Sequence, residues 1–330
     1  MIYGMCFDGS VVRGWGDDDR YLHFSNTRAT GHVENLEFHY QRAREMGLTR
    51  FRDTVLWDEA RHQPDYAWLD RLAAVSEGQL ELVLNHYALP EWITEEMFWT
   101  DGAAAAMREL AREIAQRYRG AFRSYNLGAE LGIWTDWIAA PLSRQWPFGG
   151  RDWWAVYRQT SSITIAIAQG LKAGDPAALT AMSEPWGWGP MPWPDQARPF
   201  ATILGRSDPV AEANNCHTWQ QGSPDLLDIV GLNIYFDNDI PAMLAAARGL
   251  FPDQQVVVAE TANTLRPDCH PPALWWAKFE ALGEPDLAVS WSPGLTMLTH
   301  ELGEPMCGNL LNPDGHQHWH RPAVGHPVRA

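Results

Sequence analysis

Seven residues able to do chemistry end short apolar segments along this chain: Arg52, His86, Glu130, Glu184, Tyr235, Glu260 and Trp291. The set combines carboxyl groups with one cation, one imidazole and two aromatic rings. Two carboxyl groups in different surroundings can divide acid–base work, one holding a proton while the other stays ionised. An arginine beside one of them favours its charged form. An imidazole adds a hydrogen-bonding group, and a flat ring gives the apolar face of a ligand somewhere to stack. No His/Cys/Asp group has metal-ligand spacing, so the chemistry expected here needs no metal and no other cofactor. Each residue also has a plainer reading. A glutamate ending a strand can be a salt-bridge partner, Arg52 can tie strands together, and His86 can be a satisfied core histidine. Tyr235 and Trp291 can simply pack. Glu184, within SEPWGWGP, reads first as a loop anchor and second as a third carboxylate of the site.

These residues can meet only if the segments carrying them lie side by side, and the pattern of the chain supplies such a frame. Strand-like stretches are Ile2 to Phe7, Thr49 to Trp57, Leu80 to Tyr87, Ser124 to Glu130, Ala178 to Glu184, Asp228 to Phe236, Val256 to Glu260 and Leu287 to Trp291. Helical spacing falls between them, at His32 to Met46, Tyr66 to Ser76, Gly102 to Tyr118, Trp153 to Leu171, Arg198 to Leu204, Ile240 to Leu250 and Pro272 to Leu282. Strands alternating with helices imply a parallel sheet, and eight such units close into a (β/α)8 TIM barrel, an α/β fold. Active sites of that fold lie at the C-terminal ends of the strands, where the seven residues stand. No linker or composition shift divides the chain, so residues 1–330 read as one domain. The tail after Leu311, with His316, His318, His320 and His326, reads as loop.

Composition narrows the partners. The formal net charge of −16 argues against nucleic acid and against an anionic membrane surface. No apolar run reaches the roughly 18 residues of a membrane span. Met1 to Cys6 lacks the basic start and apolar stretch of a signal peptide, so a cytoplasmic location is expected. Cys6, Cys216, Cys269 and Cys307 are scattered with no C-x-x-C pair, as reduced thiols would be. The 18 tryptophans suit a ligand that is part apolar and part wet, such as a sugar ring, although core packing accounts for most of them.

Six segments resemble, in order, those of family 1 glycoside hydrolases and the wider clan A of retaining β-glycosidases. FRDTVLW resembles R-F-S-I-S-W, which aligns Arg52 and Trp57. LVLNHYALPEWI is similar to T-L-H-H-F-D-L-P followed by W, which aligns His86 and Pro90. YNLGAE resembles W-x-T-x-N-E, with Tyr125 on the tryptophan and Glu130 on the acid/base. DIVGLNIYF resembles D-F-I-G-I-N-Y-Y and aligns Tyr235. VVVAETANT resembles I-x-I-T-E-N-G and aligns Glu260 with the nucleophile. VSWSPG resembles the family's W-S at Trp291 and Ser292. The resemblance spans Phe51 to Ser292, and FDGS in the first strand does not reproduce the family's glutamine segment.

The resemblance implies a retaining O-glycosyl hydrolase acting on a small-molecule or oligosaccharide β-glycoside. Such cleavage passes through an oxocarbenium-like state. One carboxylic acid protonates the leaving oxygen, and a carboxylate about 5–5.5 Å away attacks the anomeric carbon. Glu130 then takes the acid/base role and Glu260 the nucleophile role. Arg52 and Tyr235 support Glu260, Trp291 forms a stacking floor, and His86 donates to a ring hydroxyl. Trp186, with Trp188 and Trp193, would line the aglycone side. One departure bears on the substrate. The clan places an asparagine before the acid/base, where it binds the sugar 2-hydroxyl, and here the residue is Ala129. Two alternatives stay open: a biosynthetic enzyme reusing the glutamate pair on another electrophile, and a catalytically silent glycan-binding barrel.

Overall fold

A computed structural model describes residues 1–7, 9, 11–15, 21–29, 31–45, 47–140, 146–147, 151–187, 193–234, 239–261 and 279–291. Eight parallel strands close into a barrel: β1 (Ile2–Cys6), β2 (Arg50–Thr54), β3 (Leu80–Val83), β4 (Ser124–Ala129), β5 (Thr180–Pro185), β6 (Ile229–Asn233), β7 (Gln255–Thr261) and β8 (Ala288–Trp291). Each strand pairs with its sequence neighbours, and β1 closes the ring on β8 through Ile2 opposite Ala288. This is the (β/α)8 architecture expected from the alternation of segments.

Side-chain alternation along the strands sorts two cores. Val256 and Val258 of β7, Met182 of β5 and Leu232 of β6 belong to the large cluster shared with the helices. Val257 and Ala259, on the opposite face of β7, join Ala181 and Ile229 in a small separate cluster that fills the lumen. Small residues suit that position, because several strands converge there. One residue pair further along, the lumen turns polar with Arg52, Glu81, Asn126 and Ser183.

The surrounding helices include α1 (Leu36–Glu45), α2 (Tyr66–Ser76), α3 (Gly102–Arg117), α4 (Leu131–Ala139), α5 (Trp153–Gly174), α6 (Trp193–Ile203) and α7 (Ile240–Leu250). Aspartates start three of them by accepting an otherwise orphaned amide: Asp65 from Trp68, Asp152 from Ala155 and Asp239 from Ala242. Helices α3 and α5 approach closely because α5 carries Gly170 and Gly174 at the crossing. A Cβ at Gly170 would lie 2.1 Å from the Arg108 carbonyl oxygen, and one at Gly174 would lie 2.3 Å from that of Arg112.

Several boundaries differ from the sequence reading. Residues 31–35 form a turn, so the first long helix begins at Leu36 rather than His32. His32 is instead committed to a buried network, 2.9 Å from Asp53 and 2.6 Å from His39. The second strand ends at Thr54, and Trp57–Asp58 pairs separately with Gln63–Pro64. Helix α4 and an antiparallel hairpin, Val11–Trp15 with Tyr21–Ser25, were not anticipated. The Pro272 to Leu282 segment up to residue 278 and the tail after Leu311 lie outside the described residues, as do Cys269 and Cys307. Cys6 and Cys216 are buried. Among the described residues no helix is long and apolar enough to cross a membrane, and no His/Cys/Asp/Glu group could hold a metal ion.

Candidate active site

The end of β2 brings Arg52 into the lumen, where it is 2% exposed. Its Nη1 donates to Oε1 of Glu260 on β7. Nη2 donates to Ser183 Oγ on β5 at 2.7 Å, and Nε lies 3.4 Å from Glu81 Oε1 on β3. Glu81 also accepts from Asn126 Nδ2 at 2.9 Å. One guanidinium thus ties four strands together while keeping a positive charge against Glu260, itself 5% exposed. A buried ion pair of this kind holds only when further hydrogen bonds satisfy it, and Ser183 and Asn126 supply them.

Glu130 immediately follows β4 and starts α4 from a left-handed backbone, with φ 55° and ψ 57°. That region costs a non-glycine residue about 1–3 kcal/mol, so the surroundings must impose it. They do so from several sides. The Glu130 amide donates to the Ser183 carbonyl at 2.7 Å, and its own carbonyl accepts from Trp134 at 2.9 Å, opening the helix. The next two amides, of Leu131 and Gly132, donate to Glu184 Oε1 and Oε2 at 2.6 and 3.1 Å. The side chain is fixed as well. Tyr87 Oη donates to Oε2 of Glu130, and Asn233 Nδ2 donates to Oε1 at 2.9 Å.

Asn233 sits opposite Glu260 in the β6–β7 register, and the Ile234 amide donates to the Glu260 carbonyl at 2.9 Å. The partner that orients Glu130 is therefore next to the strand position of Glu260. The two glutamates, 130 positions apart (260 − 130), share one barrel mouth. Among the contacts between described residues, a guanidinium bonds Glu260, and a phenol and an amide bond Glu130.

His86 is buried beside Tyr87, their ring centroids 4.5 Å apart, and its carbonyl accepts from Val11 of the hairpin at 3.0 Å. Glu184 is 3% exposed, with both oxygens turned onto the start of α4. Burial pushes its carboxyl well above the usual carboxylate range. The Gly132 and Leu131 amides oppose that shift, and the nearby Glu130 charge reinforces it. Trp186 is 1% exposed, its amide donates to the Asn233 carbonyl at 3.0 Å, and its ring packs against Phe200 of α6 at 6.4 Å between ring centroids. Trp291 closes β8, in register with Met5 and Thr261. Tyr235, Trp188 and Ser292 lie outside the described residues. Ala129 is 3% exposed, and its amide donates to the Asn85 carbonyl at 3.0 Å.

Five residues of the cluster were not singled out from the sequence: Glu81, Tyr87, Asn126, Ser183 and Asn233. A parity argument could have found two of them. Ser183 stands two positions after the lumen residue Ala181, and Asn233 four positions after the lumen residue Ile229. Tyr87 has a left-handed backbone, φ 71°, and no sequence signal marks that turn.

The (β/α)8 barrel is a widely used fold, and the solved structures that share it with this chain include a family 1 β-glucosidase. The chain is similar to the AHE enzyme from Alicyclobacillus herbarius, with 14% identity, a TM-score of 0.58, and coverage of 88% of this chain and 87% of that one. The family 1 β-glucosidase from Thermotoga maritima superposes with a TM-score of 0.58 at 12% identity, covering 80% of this chain and 77% of that one. In its complex with cyclophellitol, the Thermotoga maritima β-glucosidase gives a TM-score of 0.63 at 11% identity over 88% of this chain and 87% of that one. At such identity the likeness establishes the fold. No protein-family model matches the sequence, and neither does any curated protein.

Proposed function

We propose that the chain is a retaining glycoside hydrolase acting on a β-glycoside-like substrate, with Glu260 as nucleophile and Glu130 as acid/base. The observation that carries this reading is the asymmetry of the two carboxyl groups: Arg52 binds Glu260, and neutral donors from Tyr87 and Asn233 hold Glu130. A carboxylate held by a cation suits attack on the anomeric carbon. A carboxyl group held by neutral groups can deliver its proton to the leaving oxygen as that bond breaks. Glu130 then takes a proton from the water that displaces Glu260 from the sugar, which restores both groups.

A panel of aryl β-glycosides tests the reaction. Turnover is expected in the wild type. Glu260→Ala should abolish it, and added azide should restore a product of inverted configuration. Unchanged rates in Glu260→Ala would overturn the assignment. A second reading rests on Ala129, an apolar residue at the position where the resemblance implies an amide for the sugar 2-hydroxyl. It favours a substrate whose 2-position is deoxy, substituted or read elsewhere. Matched 2-hydroxy and 2-deoxy aryl glycosides separate the two readings. An ordinary member of the clan loses several kcal/mol on the deoxy compound. A similar loss here would remove the inference from Ala129.

A further inference from the structure

Glu184 is a buried carboxyl group that the two-glutamate reaction does not use, and it sits against the left-handed backbone of Glu130, on which the reaction depends. Its two oxygens accept the first two amides of α4, from Leu131 and Gly132, at 2.6 and 3.1 Å. A helix start leaves such amides without partners, and a residue just before the helix most often supplies the cap. Here Glu130 occupies the cap position without a side-chain cap bond. Its carboxyl group is turned instead to Tyr87 and Asn233. The capping function has moved to another strand, which frees Glu130 for the lumen.

We propose that Glu184 is a positioning residue for Glu130, a cap supplied in its place that holds the left-handed turn and so aims the acid/base carboxyl at the barrel mouth. The inference rests on the glycosidase reading for its catalytic meaning, but the geometric part stands without it. Ser183 completes the clamp. Its carbonyl accepts the Glu130 amide at 2.7 Å, and its hydroxyl accepts from Arg52, the guanidinium that holds Glu260. Two consecutive residues of β5 therefore fix the backbone of one glutamate and the cation of the other. The fit is tight as well as polar: a Cβ at Gly132 would lie 3.2 Å from Glu184 Oε2. A β-carbon at that position would crowd the cap.

Among the described residues, the charged and titratable groups near this cap include Glu130, Asp136 on α4 and Tyr157 on α5, with Arg198 of α6 close to Tyr157. Tyr157 shares a hydrogen bond with Thr202 at 2.9 Å. The hydrogen bonds found on the Glu184 carboxyl among the described residues come from the Leu131 and Gly132 amides.

Two measurements test the proposal, one of them independent of activity. In the first, the amide proton shifts of Leu131 and Gly132 are followed by NMR across pH in the wild type and in Glu184→Gln. Both should move together in the wild type at a pH above the usual carboxylate range, and that step should vanish in Glu184→Gln. Shifts that are the same in both proteins would overturn the proposal, whatever the enzyme turns over. The second is a series of Glu184, Glu184→Gln and Glu184→Ala assayed on aryl glycosides with poor and activated leaving groups. Gln keeps one acceptor, so kcat on the poor leaving group should fall in steps, about tenfold and then about a hundredfold, with KM held within about threefold. The activated substrate should lose much less. An equal loss on both substrates would mean a general structural role and overturn the positioning role. A wild type without glycosidase activity would refute the proposed function alone, since the NMR titration still decides whether Glu184 caps α4.

Discussion

Replacing Arg52 by Met tests whether the lumen cation is the keystone of the site. The side chain is 2% exposed and serves Glu260, Ser183 and Glu81 at once. Methionine fills much of the volume but leaves the buried Glu260 and the part-buried Glu81 without the charge that bonds both. Removing one member of a buried pair costs about 3–5 kcal/mol, because the remaining charge is uncompensated. Glu81 keeps its bond from Asn126 at 2.9 Å, so most of that loss should come from Glu260. Glu260→Gln alone should cost less, since Arg52 retains Glu81 and Ser183. Arg52→Met with Glu260→Gln removes the orphaned charge and should recover about 2 kcal/mol of the single-variant loss, within the coupling range of residues in contact. Urea unfolding followed by tryptophan fluorescence and circular dichroism gives the four stabilities of the cycle. Losses that add to within about 0.5 kcal/mol would show that the two side chains are not energetically joined, and the electrostatic account of Glu260 would fail.

Tyr87→Phe removes the hydroxyl bound to Glu130 and, with a bond to a charged group worth about 1.5–3 kcal/mol, should lower kcat/KM on poor leaving groups roughly 10- to 150-fold with little change in stability. Unchanged kinetics would take Tyr87 out of the site. Gly170→Ala places a methyl 2.1 Å from the Arg108 carbonyl oxygen and must push α5 away from α3, at a cost of about 1–3 kcal/mol or more. A midpoint within error of the wild type would mean that the crossing is looser than it is drawn here. Glu184 has its folded pKa raised above the ordinary 4.5, so its stabilising contribution is complete below that pH and is lost as pH rises through the folded value. Wild-type stability should therefore fall relative to Glu184→Gln as pH rises above about 4.5, and a flat difference over that rise would contradict the burial argument.

The order and type of most elements were legible because strands and helices write different periods into the chain. VVVAE and DIVGLN alternate between lumen and helix-facing positions, and α2 reproduces its predicted span because Asp65 caps it. The C-terminal ends of barrel strands then nominated Arg52, His86, Glu130, Glu184 and Glu260, since a parallel barrel leaves its working side chains on that rim. Helix α4 was hidden for a local reason. Its start has no Ser, Thr, Asp or Asn cap, and the residue in that place is Glu130, in a left-handed turn that nothing nearby in sequence requires.

What only the tertiary structure decided is the division of labour among these residues. Glu184 could be read as a third carboxylate of the site or as an anchor, and the choice depended on which groups lay within reach of its oxygens. They proved to be two amides 53 and 52 positions away in sequence. Trp186 could be read as part of a ligand wall, and its ring lies in the core against Phe200. Tyr87, in the segment after β3, and Asn233, on β6, came to Glu130 from 43 and 103 positions away. A sequence records which side chains a strand end offers, because alternation and burial are local. Which of them meet across a closed barrel depends on register and shear among strands far apart in the chain, and no local pattern encodes that.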